Sequence, residues 1–267
     1  MNLLEGFSTY DSITLSELDS VALMDRKESK FIIPDYWCKG VSTTLKKDFR
    51  ILDIGGTKCF KYNNLYFDTK NNITLEDHIR GRNNRFKIRI RNYVDTNLTF
   101  LEVKRRNVYG RSTKIRVTRT GENWDGPLTE EEKEFLREHV PFADKLRPVL
   151  YSSYSRYTLA SIERNERITF DTELTFKTMD DGEYSPLPGL CLIELKQNET
   201  DRSSPLHLAF RNRKDRIAPL GRSLSVSKYT IGRLKTDKNL FTRAYVSNIK
   251  KLKRAKIAAQ KNAEDGN

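Results

Sequence analysis

No apolar run in this sequence exceeds a few residues, which excludes a transmembrane helix. The opening Met-Asn-Leu-Leu-Glu-Gly-Phe has neither the basic nor the apolar region of a secretory signal, so none is expected there. Cysteine is scarce: Cys38, Cys59 and Cys191 are odd in number, far apart and never in a CxxC pair. They read as small core residues of a reduced cytosolic protein, not as a disulfide or zinc framework. Histidine is equally scarce, and His78, His139 and His207 stand alone, so they read as satisfied or surface side chains rather than metal ligands or triad members. There is no Gly-Lys dipeptide and no GxGxxG after a strand, which excludes a P-loop and a dinucleotide fingerprint. If the chain handles a nucleotide, it does so without a glycine cradle.

Charge is abundant. Charged residues make up 32% of the 267, and 49 Lys+Arg against 36 Asp+Glu leave a net charge of +13. That balance points to a polyanionic partner: nucleic acid, an anionic membrane surface or a phosphate-rich small molecule. With 37% hydrophobic residues, 13 Phe and 12 Tyr, the chain can bury a sizeable core.

Eight short strands are predicted at 26–33, 62–69, 85–93, 99–106, 111–118, 153–160, 166–175 and 190–197. Turn signals such as Gly81-Arg-Asn83-Asn84 and Asn107-Val-Tyr-Gly110 separate them. A short helical pattern follows Ser12, and helices are expected over 35–50 and 128–139, the latter opened by a Thr129–Glu132 capping box. The pattern turns helical again over 205–213 and from 227 onward. Residues 243–261 carry Arg243, Lys250, Lys251, Lys253, Arg254, Lys256 and Lys261 and no acid. The expected organisation is one domain over 1–235 followed by a basic helical tail over 236–267.

The strands share an unusual alternation. In Phe86-Lys87-Ile88-Arg89-Ile90-Arg91, period two puts three cations on one face and three apolar side chains on the other. Glu102 and Lys104 share a face opposite Leu101 and Val103; so do Lys114 with Arg116, Glu194 with Lys196, Arg26 with Glu28 and Lys30, and Arg167 with Asp171. For one strand, a solvated face explains this best. Over six strands the ionic faces are too purely charged, with several cations to at most one or two carboxylates each. Turned inward in a closed sheet, they would form a bore that suits a polyanion and a divalent metal. Periodicity alone does not say which way the faces point.

The motifs Leu23-Met-Asp-Arg26-Lys-Glu28-Ser-Lys30-Phe31, Tyr62-Asn-Asn-Leu-Tyr66-Phe67-Asp68-Thr69 and Arg85-Phe-Lys87-Ile-Arg89-Ile-Arg91-Asn-Tyr93 stand in one order with Leu101-Glu102-Val103-Lys104, Tyr154-Ser-Arg156, Arg167-Ile-Thr169-Phe170-Asp171, Ile193-Glu194-Leu195-Lys196 and Ser227-Lys228-Tyr229. In that order they resemble the VTC (vacuolar transporter chaperone) domain family of polyphosphate polymerases, in its bacterial branch, within the triphosphate tunnel metalloenzymes. The match spans about residues 15–235.

The resemblance implies an α+β fold: a closed tunnel of eight antiparallel strands with flanking helices and, here, a basic C-terminal helix. It implies a polymerase that moves the terminal phosphoryl group of ATP onto a growing polyphosphate chain. Lys30, Arg89, Arg91, Lys104, Arg156, Arg167 and Lys228 would grip phosphates, arginines bidentately and lysines as point charges. Lys87 and Lys196 would join them from the same faces. Ser227 and Tyr229 would touch substrate beside Lys228. Glu194 would hold Mn²⁺ or Mg²⁺, and Glu28 and Glu102 would orient lysines or reach the metal through water. The acceptor is already an anion, so no strong base is needed.

One departure bears on the branch. Related CYTH proteins carry ExExK on the first strand, and here Arg26 stands where the first Glu would be. One carboxylate fewer argues against a two-metal hydrolase and thins the metal site. A hydrolase of tripolyphosphate or nucleoside triphosphate on the same fold remains the rival. A nucleic-acid-binding module is the third reading, opposed by cations that alternate with aliphatic residues rather than exposed aromatics. The expected setting is the cytoplasm, with the basic tail either a solvated end or a contact to anionic lipid or a membrane protein.

Overall fold

A computed structural model describes residues 4–20, 27–120, 123–179, 182–211, 223–237, 240 and 246–265. Arg26 and Arg243, both singled out above, lie outside the described residues. The strands are β1 (Ser12–Ile13), β2 (Lys27–Pro34), β3 (Arg50–Leu52), β4 (Phe60–Asp68), β5 (Arg85–Tyr93), β6 (Leu98–Arg106), β7 (Ser112–Arg119), β8 (Arg147–Ser161), β9 (Glu166–Thr178), β10 (Tyr184–Pro186) and β11 (Leu190–Gln197). The helices are α1 (Leu4–Phe7), α2 (Leu15–Ser20), α3 (Trp37–Leu45), α4 (Ile73–Ile79), α5 (Glu130–His139), α6 (Pro205–Arg211), α7 (Lys228–Thr236) and α8 (Val246–Asp265).

All eight expected strands are present and form one antiparallel path, β2-β11-β9-β8-β4-β5-β6-β7. The short β1, β3 and β10 were too brief to leave a periodic signal. Strand β8 begins six residues before its expected start at 153 because a bulge between Ser153 and Ser155 resets its alternation. Helix α3 ends at Leu45, earlier than expected, because Arg50 and Ile51 are drawn into pairing with β8.

Apolar faces of the path point outward. Ile88, Ile90, Leu101 and Val103 bury against Leu136 and Val140 at the C-terminal end of α5. That helix starts as expected: Thr129 accepts from the Glu132 amide, and Glu132 reaches back to the Thr129 amide. A larger cluster, including Phe31, Ile33, Ile168, Phe170, Ile193 and Leu195, lies under α1, α3 and α6. Helix α8 is no frayed end: it packs on β2 and β11, with Ala255 fully buried and Ile249 and Leu252 against the same core. Lys250, Lys253 and Arg254 remain exposed on it. Among the described residues, no helix is long and apolar enough to cross a membrane.

With the outer faces covered by helices, the ionic faces turn inward. Lys104 on β6 reaches Glu28 on β2 at 3.6 Å, so strands near opposite ends of the path meet across one bore. The direction of the alternation is therefore set by tertiary packing: helices occupy the apolar faces, and the charged faces turn toward one another.

Candidate active site: a cationic tunnel

Direct cross-strand neighbours share a face, so the ladder registers place the charges. Lys30 stands opposite Glu194, and Lys196 opposite Glu28. Arg89 stands opposite Glu102, which on its other side faces Arg116. Arg156 stands opposite Asp171. Lys87 stands opposite Lys104, which faces Lys114 in turn, a row of three like charges.

These registers become ion pairs. Arg156 donates Nε to Asp171 Oδ1 at 2.6 Å and Nη2 to Oδ2 at 2.9 Å, and Lys228 also donates to Oδ2. Arg89 donates twice to Glu102 Oε2, at 2.8 and 2.6 Å, while Lys114 takes Oε1 at 3.1 Å. Lys30 donates to Glu28 at 2.9 Å and lies 3.6 Å from Glu194, which pairs with Lys196 at 2.9 Å. Arg91 donates to Asn64 Oδ1 at 3.0 Å and to the Tyr154 hydroxyl at 3.2 Å. Arg167 sits on the same face of β9 as Asp171, and its Nη2 donates to the Leu18 carbonyl.

Lys87 differs from all of these. Among the described residues it has neither a hydrogen-bond nor an ion-pair partner. Desolvation first, then Lys104, Arg89 and Lys30, hold its ammonium well below the usual lysine range. The same field acts elsewhere. Burial pushes the Tyr154 phenol up, but Arg91, Arg156 and Lys228 bring it down to about 8. Burial and the neighbouring Glu194 push Glu28 up, yet Lys30, Lys104 and Lys196 carry it down to about 2. Glu102, Asp171 and Glu194 are all lowered by facing cations that outweigh their desolvation.

The structure brings Lys30, Lys87, Arg89, Arg91, Lys104, Arg156, Lys196 and Lys228 to one bore with Glu28, Glu102 and Glu194, and puts Arg167 on the same face of its sheet. Ser227 and Tyr229 are placed otherwise. Ser227 caps α7 by accepting from the Thr230 amide at 3.2 Å. The Tyr229 hydroxyl donates to buried Asp68 at 2.6 Å, and its ring lies 5.2 Å from that of Tyr66. Asp68 also accepts from the Thr74 and Leu75 amides at the start of α4. The two residues thus fix α7 so that Lys228, between them, enters the bore.

Asp171, Tyr62, Asn64 and Tyr154 were given no site role from sequence. Tyr62 and Tyr154 stack 5.2 Å apart, and Arg156 lies 5.1 Å from the Tyr62 ring. Period two on β4, placing Tyr62, Asn64 and Tyr66 on one face, was the available signal.

A sheet rolled around cations, with its few carboxylates already paired, defines a cationic tunnel. The VTC domain model matches residues 25–236, and the chain belongs to that family. Among curated proteins none matches it. Solved structures that resemble it include a Hippeastrum adenylyl cyclase candidate described with a dominant triphosphatase activity: 14% identity, 83% of this chain, 99% of that one, TM-score 0.46. A candidate adenylate cyclase from Bacillus halodurans shares 13% identity over 82% of this chain and 100% of its own, TM-score 0.45. The PH1819 protein of Pyrococcus horikoshii shares 14% over 77% and 97%, TM-score 0.41. Likeness at this level assigns no chemistry.

Proposed function

We propose that this VTC-family chain is a polyphosphate polymerase that transfers the terminal phosphoryl group of ATP to the end of a polyphosphate chain held in the tunnel. The observation that carries the reading is Lys87, an ammonium without a partner among the described residues, in a bore where Glu28, Glu102, Asp171 and Glu194 are each already paired with other cations. A fixed excess of cations is costly without an anion and stabilising with one. Phosphoryl transfer asks for in-line positioning and neutralisation of phosphate oxygens, which arginines and lysines supply.

In that reading Arg89, Arg91 and Arg156, each held at its guanidinium by Glu102, Asn64 or Asp171, form a preset cradle for phosphate oxygens. Lys228, placed by the α7 cap, and Lys30 and Lys104 add point charges. Lys196 and Arg167 extend the same faces. Lys87, without a partner among the described residues, takes a phosphate oxygen of its own.

The donor set also fits a divalent ion shared with substrate. Among the described residues no three His, Cys, Asp or Glu side chains cluster, so they form no all-protein cage. Glu28 and Glu194, both beside Lys30, are the pair of carboxylates that would hold Mn²⁺ or Mg²⁺, with phosphate oxygens completing its shell. When bound, such an ion neutralises charge on the phosphates.

Transfer to a phosphate end is favoured over transfer to water by the same charges. Glu28, Glu102, Asp171 and Glu194 are all held below their ordinary pKa, which makes each a weak base for activating water. A polyphosphate end is anionic already and needs none. Incubating the protein with ATP and Mn²⁺ and following products by phosphorus NMR tests this. Internal-phosphate signal growing with ADP is expected; orthophosphate without chain would replace the polymerase by a hydrolase.

A further inference from the structure

Resting on the polymerase reading, we infer that the polyphosphate chain passes out of the tunnel over Lys104 and Lys114 and then along Arg106 and Arg111 of the β6–β7 hairpin. The bore is more open at β6 and β7 than beside α7. Side chains of Lys228, Arg156 and Arg89 are 10%, 13% and 18% exposed, whereas Lys104 and Lys114 are 39% and 43% exposed. Helix α7 closes the first group: its Gly232 lies so near Leu150 and Phe176 that an added Cβ would stand 2.6 and 2.5 Å from them. A chain that extends from the first group therefore has its open way at the lysines.

From Lys104 the inward face of β6 continues to Arg106, which stands opposite Arg85 and Ser112. Arg106 Nε is buried and has no acceptor among the described residues, and the guanidinium lies over Gly110, where the hairpin turns at φ +80°. Arg111 follows, exposed, its backbone amide held by Asn107 at 2.9 Å. Lys87 within the bore and Arg106 at its rim thus both lack an anionic partner among the described residues, and they lie on neighbouring strands. Burial first, and then Lys87, Arg85, Lys30 and Lys104, lower His78, on α4, to about 2. The polymerase reading supplies a repeating phosphate chain as the occupant of this row, whereas the exposed ring of Tyr109 at the hairpin turn is where a nucleic-acid base would stack, which the RNA arm of the test reads.

The test is binding of end-labelled long-chain polyphosphate, followed by fluorescence anisotropy, with tripolyphosphate as competitor, for the wild-type chain and Arg106→Gln/Arg111→Gln. Both substitutions are on the hairpin and outside the phosphate cradle. The expected result is about tenfold weaker binding of the long chain and a salt slope lower by about two, since two cations no longer neutralise phosphates. Tripolyphosphate affinity and thermal midpoint stay unchanged, and in the NMR assay ADP formation persists while product chains shorten. Equal long-chain binding by variant and wild type overturns the track. Tighter binding of single-stranded RNA than of polyphosphate at the same salt overturns its occupant. If neither protein makes chain but the binding difference persists, the polymerase reading fails while the track stands.

Discussion

Replacing Lys87 by methionine removes one charge and keeps most of the side-chain volume. In the folded chain that ammonium has no acceptor among the described residues and sits near Lys104, Arg89 and Lys30. Removing an uncompensated cation from such a group is expected to stabilise the ligand-free protein by about 1–2 kcal/mol. For a chain of this size the thermal midpoint rises by roughly 2–4 °C per kcal/mol. The pH dependence has a fixed sign. A folded-state pKa below the ordinary 10.5 means the unfolded chain binds more protons, so wild-type stability climbs as pH rises toward that value. The advantage of Lys87→Met is therefore full below the folded pKa and fades as pH approaches 10.5. Binding moves the opposite way: one charge-assisted phosphate contact is worth about 1.5–3 kcal/mol, so tripolyphosphate affinity falls tenfold or more. Arg89→Met provides the contrast. It loses binding too, but takes from Glu102, 2% exposed, the guanidinium that donates twice to one of its oxygens while Lys114 holds the other at 3.1 Å, and costs about 3 kcal/mol of stability. Scanning calorimetry with and without tripolyphosphate reads both. A lower midpoint for Lys87→Met would show that its ammonium has a structural acceptor and would remove the main support for an anion site.

Glu194→Gln should cut Mn²⁺ binding in the presence of triphosphate by tenfold or more, read by electron paramagnetic resonance, while metal-free triphosphate binds as well or better for want of one negative charge; undiminished Mn²⁺ binding would move the metal elsewhere. Glu28, with its folded pKa at about 2 against an ordinary 4.5, contributes stability that is present above 4.5 and is lost as pH falls toward 2. Glu28→Gln should accordingly flatten the fall of the thermal midpoint across that window, and an unchanged slope would refute the assignment.

The eight tunnel strands were legible because each is long enough to show period two, and helix α5 because its capping box is a local device. The charged residues were legible for the same reason, since alternation alone put Lys87, Arg89 and Arg91 on one face. Asp171 shared a face with Arg167 in the sequence, but nothing local marked it as the acceptor for Arg156 and Lys228. Those partners are 15 and 57 residues away along the chain. Ser227 and Tyr229 looked like companions of Lys228 in a substrate site. Their actual partners, Thr230 and Asp68, make one a helix cap and the other an anchor, because side chains next to each other in sequence on a helix point in different directions.

What the sequence determined by itself was the inventory: strands with one ionic and one apolar face, and more cations than carboxylates to pair with them. Which face turns inward was undecided by any strand, since an isolated amphipathic strand buries its apolar side against whatever is available. The tertiary structure decided it by laying α1, α3, α5, α6 and α8 over the apolar faces and leaving the charged ones to enclose the bore. Long-range pairing, β11 returning to β2 above all, then set which carboxylate meets which cation and left Lys87 with none among the described residues.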